Sequence, residues 1–396
     1  MSAIPRRSAI ARLGGFYAAS FLVTGIQLPF WPVWLTGRGL SAREIAALFA
    51  AAIWVKVVAT PAIGALADRL GRRRAMMVVL AGIAWLGYAS LWRAYDFATL
   101  LCLTLIAGVA QSALMPLGDS ITLAAVRRDG LDYGRIRVWG SISFIFAAMA
   151  SGTLLSRTGA PNPDGNTVLL FVLAASAILL LACLAIPAPP REPGDGNGRS
   201  ALAGMVANRR FWSFVITAAA LQASHQVYYG FGTLYWRSLG FSDAVIGCLW
   251  AEGVLAEIVL FWQSSRLLTR LGPLGLMALG GAAGILRWGL AGLVPGLLPA
   301  VALQLLHALT FGAAHLGAMN FLSSTVPPGA SASAQALYSG TSAGIGSGIV
   351  MFGAGALYAS YGGHAYLFMA LLSALGLAGV IHLARQTRPS SHLPQV

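Results

Sequence analysis

Two residues of opposite charge lie at matching places within long apolar segments. Lys56 is midway along one segment, and Glu257 follows it by 201 positions, midway along another. An ionisable side chain at the centre of a membrane span costs about 2.5 to 3.5 kcal/mol to insert, so each needs a reason to be there. One interpretation is that Lys56 attracts an anionic substrate while Glu257 takes up and releases a proton. The other is a structural ion pair, and the two are not exclusive.

A second carboxylate lies in the fourth apolar segment. Asp119 follows Gln111 and Ser112, and a helix places Ser112 and Asp119 on the same face. Asp119 either carries a proton or pairs with Arg135 or Arg137 at the start of the next segment. We favour the pairing.

Three histidines also lie in apolar segments, at His225, His307 and His315. A histidine in such a place is either a proton relay or a hydrogen-bonded packing residue. We expect one of them to be functional. The sequence has no H-E-x-x-H spacing, so we expect neither a metal site nor a cofactor.

The first segment places Thr24, Gln27 and Trp31 on one helix face, and Tyr228 lies 201 positions after Gln27. Aromatic rings with a few hydrogen-bonding groups suit a flat organic ligand. For Trp31 an interfacial aromatic belt is an equal alternative, and for Trp34 the belt is the favoured one.

The composition says which elements must position these residues. Of 396 residues, 57% are hydrophobic and 10% are charged, and the mean hydropathy is +0.74. These values are typical of a polytopic membrane protein. The net charge of +14 does not indicate nucleic acid, because most basic residues fall in alternate loops, which predicts that both termini are cytoplasmic.

A spanning helix needs about 20 apolar residues, and the sequence supplies twelve such segments, which predicts an all-α fold. Their approximate bounds are 13–36, 43–66, 75–93, 97–124, 136–156, 167–186, 211–236, 243–266, 273–293, 298–323, 332–358 and 364–384. A stretch rich in Pro and Gly follows the sixth segment. We therefore expect an N-terminal bundle of six helices at 1–186, a cytoplasmic linker at 187–210 and a C-terminal bundle of six helices at 211–396.

The two halves are internal repeats. Residues 39–41 correspond to 240–242, and the same offset aligns 69–71 with 270–272 without a gap. Two halves related in this way predict a substrate site at the midplane between them.

A basic loop with glycines lies between the second and third segments. We expect Gly64 to permit close helix packing and Gly71 to provide a bend. Asp68, at the C-terminal end of a helix, should interact with another helix's N-terminus or with an arginine of a neighbouring loop. This loop resembles the G-x-x-x-D-R-x-G-R-[RK] loop of the major facilitator superfamily. The resemblance implies a cytoplasmic gate formed by Gly64, Asp68, Arg69, Gly71, Arg72 and Arg135.

Four further stretches, 29–35, 39–45, 132–141 and 306–312, are similar to the phenylpropionate permease branch of that superfamily, which is close to the nucleoside:proton symporters. This resemblance implies proton-coupled uptake of a small aromatic carboxylate across a bacterial inner membrane. We assign Gln27, Trp31, Lys56, Gln111, His225, Tyr228 and His315 to substrate binding, and Glu257 and Asp119 to proton coupling.

Alternatives are uptake of a neutral nucleoside or sugar, and efflux; the fifth segment lacks the Gly-Pro pair of drug antiporters, which weakens efflux. Besides substrate, protons and lipid we expect no partner, so the chain should be a monomer.

The G-x-S-x-G pattern at 340–344 lies in an apolar segment. It therefore favours helix packing or sliding over a hydrolase nucleophile, and we expect no enzyme.

Overall fold

The computed structural model of the chain describes residues 6–157, 166–187, 208–326 and 331–387. Nearly all of these residues are helical, and the four ranges contain no strand. The α-helices are α1 (Arg6–Gly37), α2 (Ala42–Leu70), α3 (Arg73–Ser90), α4 (Phe97–Asp129), α5 (Tyr133–Arg157), α6 (Asn166–Ala185), α7 (Arg209–Ala223), α8 (Gln226–Ser238), α9 (Asp243–Trp262), α10 (Ser264–Leu293), α11 (Leu297–Leu305), α12 (Ala314–Thr325), α13 (Ser331–Tyr338), α14 (Ser347–Tyr361) and α15 (Ala365–Thr387).

Shorter helical segments join some of them. Leu91–Arg93 and Gly362–His364 are 3₁₀ turns. Ala308–Ala313, between α11 and α12, and Ser339–Gly346, between α13 and α14, are π-helical. The predicted linker at 187–210 lies outside the described residues except at its ends, and α7 already begins at Arg209.

Ten helical stretches in the described part of the chain are long and apolar enough to cross a membrane. Two features account for the difference from twelve segments. One stretch, Ala334–Gln386, runs for 53 residues and contains both of the last two segments. The seventh segment is interrupted, so α7 and α8 are each too short to count alone. The all-α fold with repeated membrane crossings is confirmed.

Local sequence explains where α2 begins and ends. Ser41 caps its N-terminus by accepting the backbone N–H of Glu44 at 3.3 Å, and the Glu44 carboxylate accepts the Ser41 N–H at 2.8 Å. This reciprocal arrangement satisfies two otherwise unpaired donors. Gly71 ends α2 with a φ of +62°, a left-handed conformation that glycine adopts without a steric penalty. The predicted bend at Gly71 is therefore confirmed.

The internal repeat is visible in the backbone. Gly39 and Gly240 have φ values of +86° and +83°, and Gly71 and Gly272 have +62° and +64°. The two halves thus place left-handed turns at the same positions of their repeats. This agreement supports the offset found in the sequence.

The chain divides into two compact units that differ from two consecutive halves. Of the described residues, the first contains 6–157, 166–187, 228–254 and 351–362, and the second contains 208–227, 255–326, 331–350 and 363–387. The predicted bundle boundaries remain a prediction.

Small residues set the helix packing in the first unit. A Cβ on Gly118 of α4 would collide with the ring of Phe16 in α1. A Cβ on Gly87 of α3 would lie 2.9 Å from the Cβ of Ala107 in α4. Side chains at these glycines would push the helices apart. Because the glycines have none, α1, α3 and α4 pack closely around the polar cavity described below.

Candidate functional site

The first unit contains a cavity of about 160 Å³. Polar groups from α1, α2, α3 and α4 line much of it, namely Thr24, Gln27, Lys56, Tyr88, Gln111 and Ser112. The structure therefore brings together three residues that the sequence assigned to substrate binding, on three different helices. Tyr88 is an addition that the sequence analysis missed.

A directional chain of hydrogen bonds runs along one wall of this cavity. The Tyr88 hydroxyl donates to Oε1 of Gln111 at 2.6 Å. Nε2 of Gln111 in turn donates to Oε1 of Gln27 at 3.1 Å. The carbonyl oxygens of both amides therefore accept hydrogen bonds within the wall.

Lys56 supplies the positive charge of the cavity. Its Nζ lies close to Gly108, where a Cβ atom would be 3.9 Å away. Among the described residues, Nζ has no hydrogen-bond or ion-pair partner. Lys56 is also the sole lysine of the chain, and every other basic residue is an arginine. A lysine presents a compact charge with three rotatable donors, which differs from the planar fork of arginine.

Trp31 lies one layer behind this wall. Its ring is edge-on to Tyr88 at 5.9 Å and stacked on Trp34 at 4.5 Å. Trp34 is fully buried, and the guanidinium of Arg38 lies 5.2 Å from its ring centre. The aromatic-belt interpretation of Trp34 is therefore wrong, because a belt residue must reach the membrane interface.

The second unit contains a buried polar network centred on Arg287, a residue that is 1% exposed. Arg287 donates to Nδ1 of His307 at 2.9 Å, to Oγ1 of Thr310 at 2.9 Å and to Oε1 of Gln304 at 2.5 Å. Nε2 of His307 lies 3.0 Å from a carboxylate oxygen of Glu257. A guanidinium and a carboxylate are thus joined through one imidazole.

The hydrogen-bond partners in this network determine which ring nitrogen of His307 and of His225 carries the proton. Arg287 has donors and no acceptor, so Nδ1 of His307 accepts and its proton is on Nε2. His225 places Nε2 3.2 Å from the Thr310 hydroxyl and Nδ1 3.3 Å from the carbonyl of Gln222. A carbonyl accepts only, so Nδ1 of His225 carries the proton. His307, which accepts on one nitrogen and donates on the other, is neutral in this arrangement.

Two irregular backbone segments meet at this network. The predicted seventh helix is broken at Ser224 and His225, and the tenth is π-helical over Ala308–Ala313. His225 and Thr310 lie in these segments and contact each other. Irregular backbone at membrane depth is tolerated where other groups satisfy it, and π-helical turns are frequent at functional sites.

His315 lies at the end of a column of parallel rings. His307 stacks on Phe311 at 5.6 Å, and Phe311 stacks on His315 at 5.9 Å. The column places His315 in the second unit, beside the Glu257 network. Its predicted role in substrate binding remains a prediction, as does that of His225.

Asp119 belongs to a different cluster in the first unit. It accepts hydrogen bonds from the hydroxyls of Tyr17 at 2.5 Å and Tyr133 at 3.2 Å. The arginine partner that we favoured is wrong: Arg135 contacts Asp132 at 3.5 Å, and Arg137 lies over the rings of Tyr17 and Phe21. The proton role of Asp119 remains a prediction.

The basic loop after α2 agrees with expectation at Asp68 and differs from it at Gly64. Asp68 interacts with Arg73, the first residue of α3, at 2.8 Å, which agrees with a partner at another helix's N-terminus and not with an arginine of a neighbouring loop. A Cβ on Gly64 would meet no heavy atom within 4 Å, so no close helix packing depends on it in this structure. Arg69 and Arg72 are exposed. Their gating role remains a prediction.

Tyr228 is separate from the polar cavity. It is 2% exposed and stacks on Trp250 at 4.4 Å. Trp250 donates its indole N–H to Thr233 at 3.0 Å. These contacts describe a buried aromatic cluster, and the binding role of Tyr228 remains a prediction.

The sequence profile of the MFS_1 like family matches residues 10–370 of this chain. The chain belongs to the MFS_1 like family. It is accordingly a multi-pass membrane transporter of the major facilitator superfamily and not an enzyme. The G-x-S-x-G serine agrees, since Ser342 is buried in a helical segment and donates to the carbonyl of Tyr338.

Two curated relatives illustrate the similarity of this MFS_1 like transporter. The "Probable 3-phenylpropionic acid transporter" of Escherichia coli (strain K12) is 30% identical over 364 residues, which cover 91% of this chain and 93% of the relative. The maltose permease of Geobacillus stearothermophilus is 26% identical over 384 residues, covering 94% of each.

Solved structures share the fold of this family member. The crystal structure of the nucleoside transporter NupG matches with a TM-score of 0.83 at 20% identity, covering 95% of this chain and 99% of NupG. A bacterial homolog of the human lysosomal transporter Spinster matches with a TM-score of 0.76 at 15% identity, covering 99% of this chain and all of that structure. At these identities the matches support the major facilitator fold alone.

Proposed function

We propose that the chain imports a small aromatic carboxylate similar to 3-phenylpropionate, together with protons, across a bacterial inner membrane. The observation that carries the proposal is the unpaired ammonium of Lys56 in the polar cavity of the first unit. The name of the Escherichia coli relative suggests the same substrate class.

The cavity suits such a ligand in charge and size. A buried charge without a partner is costly, so a ligand that supplies an anion next to Lys56 gains binding energy. An apolar cavity of about 150 Å³ accepts a benzene molecule, and the volume here is about 160 Å³. The cavity is therefore about large enough for the phenyl ring of such a ligand.

Glu257 is our candidate for the transported proton. His307 is held neutral as a donor to Glu257, and Arg287 stays charged at any physiological pH. Protonation of Glu257 therefore removes the negative charge that balances Arg287 within this network. This charge change triggers the rearrangement in our scheme, because a buried unpaired charge is strongly destabilising.

The transport cycle that we propose is alternating access by two six-helix halves around a midplane site. In this scheme both termini are cytoplasmic, the chain acts as a monomer and the loop containing Asp68 biases the cytoplasmic gate. The concentration of arginines in alternate loops supports the orientation.

Uptake into proteoliposomes tests the proposal. Labelled 3-phenylpropionate is supplied with and without an inward proton gradient, to the native chain and to Lys56→Gln. We expect gradient-driven accumulation in the native chain and its loss in the variant. Arg43→Gln, a change at an exposed arginine near the start of α2, is the control and should accumulate substrate normally. Absence of uptake by the correctly folded native chain would refute the proposal.

A neutral polar solute such as a nucleoside is the second candidate. The observation in its favour is the pair of amides, Gln27 and Gln111, which line the cavity beside the Tyr88 hydroxyl. This candidate predicts that Lys56→Gln still transports, since a neutral ligand does not need the ammonium. Competition assays with nucleosides and sugars on both variants distinguish the two candidates.

A further inference from the structure

We infer that Tyr88 is a positioning residue that makes the cavity of the first unit select a carboxylate over the corresponding neutral amide. The inference rests on the proposed function and deepens it, because it says how the site recognises its ligand class. Tyr88 is buried, at 3% exposure, and belongs to α3, whereas the groups it orients belong to α1 and α4.

A carboxamide has an acceptor at one end and two donors at the other, so fixing its oxygen fixes the direction of its N–H groups. The Tyr88 hydroxyl fixes Oε1 of Gln111 at 2.6 Å. Gln111 then points its Nε2 at Oε1 of Gln27, 3.1 Å away. Because the Gln27 oxygen accepts this hydrogen bond, the Gln27 amide presents its N–H groups to the cavity. One hydroxyl thereby sets the direction of two successive amides.

The resulting cavity offers hydrogen-bond donors to its ligand. Lys56 contributes up to three N–H groups and Gln27 contributes N–H groups from the same cavity wall. A carboxylate has acceptors only and matches both. The neutral amide analogue brings two N–H donors of its own, and the carbonyl oxygens of Gln27 and Gln111 each already accept one hydrogen bond, so fewer acceptor positions remain for those donors. An unmet buried donor costs about 1 to 3 kcal/mol, which is roughly a 5- to 150-fold loss of affinity.

Removing the hydroxyl releases this constraint. In Tyr88→Phe the oxygen of Gln111 loses its donor. The side-chain amides of Gln111 and Gln27 are then free to flip by about 180°. The cavity then presents carbonyl oxygens as readily as N–H groups. A carboxylate meets repulsion in the turned state, whereas the amide analogue gains an acceptor, so the preference between them should shrink.

The single lysine allows binding to be measured at the site itself. An amine-selective acylating reagent modifies Lys56 and the N-terminal amine, which peptide mass spectrometry separates. Protection of Lys56 is titrated with 3-phenylpropionate and with 3-phenylpropionamide, and the N-terminal peptide serves as the internal reference. For the native chain we expect the acid to protect at a concentration at least about tenfold lower than the amide.

For Tyr88→Phe we expect this ratio to fall to within about threefold of unity. Tyr358→Phe removes a hydroxyl from a ring that stacks on Phe231, and this control should keep the native ratio. If Tyr88→Phe does not fold, Gln111→Leu should also lose the ratio, because Gln27 loses the donor that orients it. Protection by the acid with an unchanged ratio in these variants would overturn the inference and leave the proposed function intact. Protection of the native chain by neither ligand would overturn both.

Discussion

Arg287 donates an N–H to Nδ1 of His307 across 2.9 Å, and both side chains are buried. This contact decides which nitrogen of His307 carries the proton. Because Nδ1 is occupied by a donor, the imidazole presents its own N–H to Glu257. The histidine therefore orients the carboxylate, which is the group that we propose for proton coupling.

The first prediction is that Glu257→Gln uncouples transport from protons. A glutamine keeps an oxygen that accepts from Nε2 of His307 and retains the volume of the side chain, but it cannot be ionised. We expect accumulation driven by an inward proton gradient to fall to the level of passive equilibration, while exchange of labelled for unlabelled substrate continues. Both rates are measured in the same proteoliposomes.

Glu252→Gln is the matched control for this prediction. Glu252 lies on the same helix, α9, five residues before Glu257, and the same chemical change there should leave gradient-driven accumulation intact. Loss of accumulation in Glu252→Gln alone would place the coupling carboxylate at Glu252.

The sequence was sufficient to single out three of the residues that line the cavity of the first unit, but not Tyr88. Lys56, Gln27 and Gln111 stand out because polar residues are rare in apolar segments, and helical spacing places them on inward faces. The bend at Gly71 was also predicted from the sequence, and its position recurs at Gly272 in the second half. A single sequence shows both signals: a polar residue that is rare within its apolar segment, and a glycine position that recurs in both halves.

The partners of the polar groups were not predictable in the same way. Arg287 carried a signal, as an arginine within an apolar segment, but nothing in its spacing pointed to His307. Asp119 pairs with tyrosines and not with the expected arginine, because the rotation of each helix about its axis decides which side chain meets it. The break at His225 was missed because no proline or glycine marks it.

The second prediction concerns the stability that Arg287 provides. Its guanidinium donates to three acceptors at once, a geometry that one ammonium cannot reproduce. Arg287→Lys should therefore lower the free energy of unfolding by about 3 kcal/mol, because buried acceptors lose their donors. Thermal unfolding in detergent measures the change. Arg270→Lys, at an exposed arginine of the same helix, should change stability by less than about 0.5 kcal/mol. Equal effects of the two substitutions would contradict the structure.

The third prediction compares two glycines with opposite outcomes. A Cβ on Gly247 of α9 would collide with the backbone carbonyl of Ala148 in α5, whereas a Cβ on Gly64 meets nothing within 4 Å. Gly247→Ala should cost about 1 to 3 kcal/mol through overpacking. Gly64→Ala should be neutral or stabilise by up to about 1 kcal/mol, because alanine is the better helix former. Melting temperatures of the two variants show whether each substitution stabilises or destabilises the protein. Destabilisation by Gly64→Ala would support the original prediction that Gly64 permits close helix packing.

The fourth prediction concerns the loop that contains Asp68. Its pair with Arg73 is largely exposed on the carboxylate side, with 60% of the Asp68 side chain accessible, and such pairs contribute about 0 to 1 kcal/mol. Asp68→Asn should therefore leave the melting temperature and the substrate KM nearly unchanged. If the pair stabilises one conformation of the gate, its loss in Asp68→Asn lowers turnover by up to about fivefold, which corresponds to about 1 kcal/mol. Arg73→Gln should reproduce this loss, and the double variant should add nothing to it. A large rise in KM with normal turnover would instead place Asp68 in ligand binding and end its assignment to the gate.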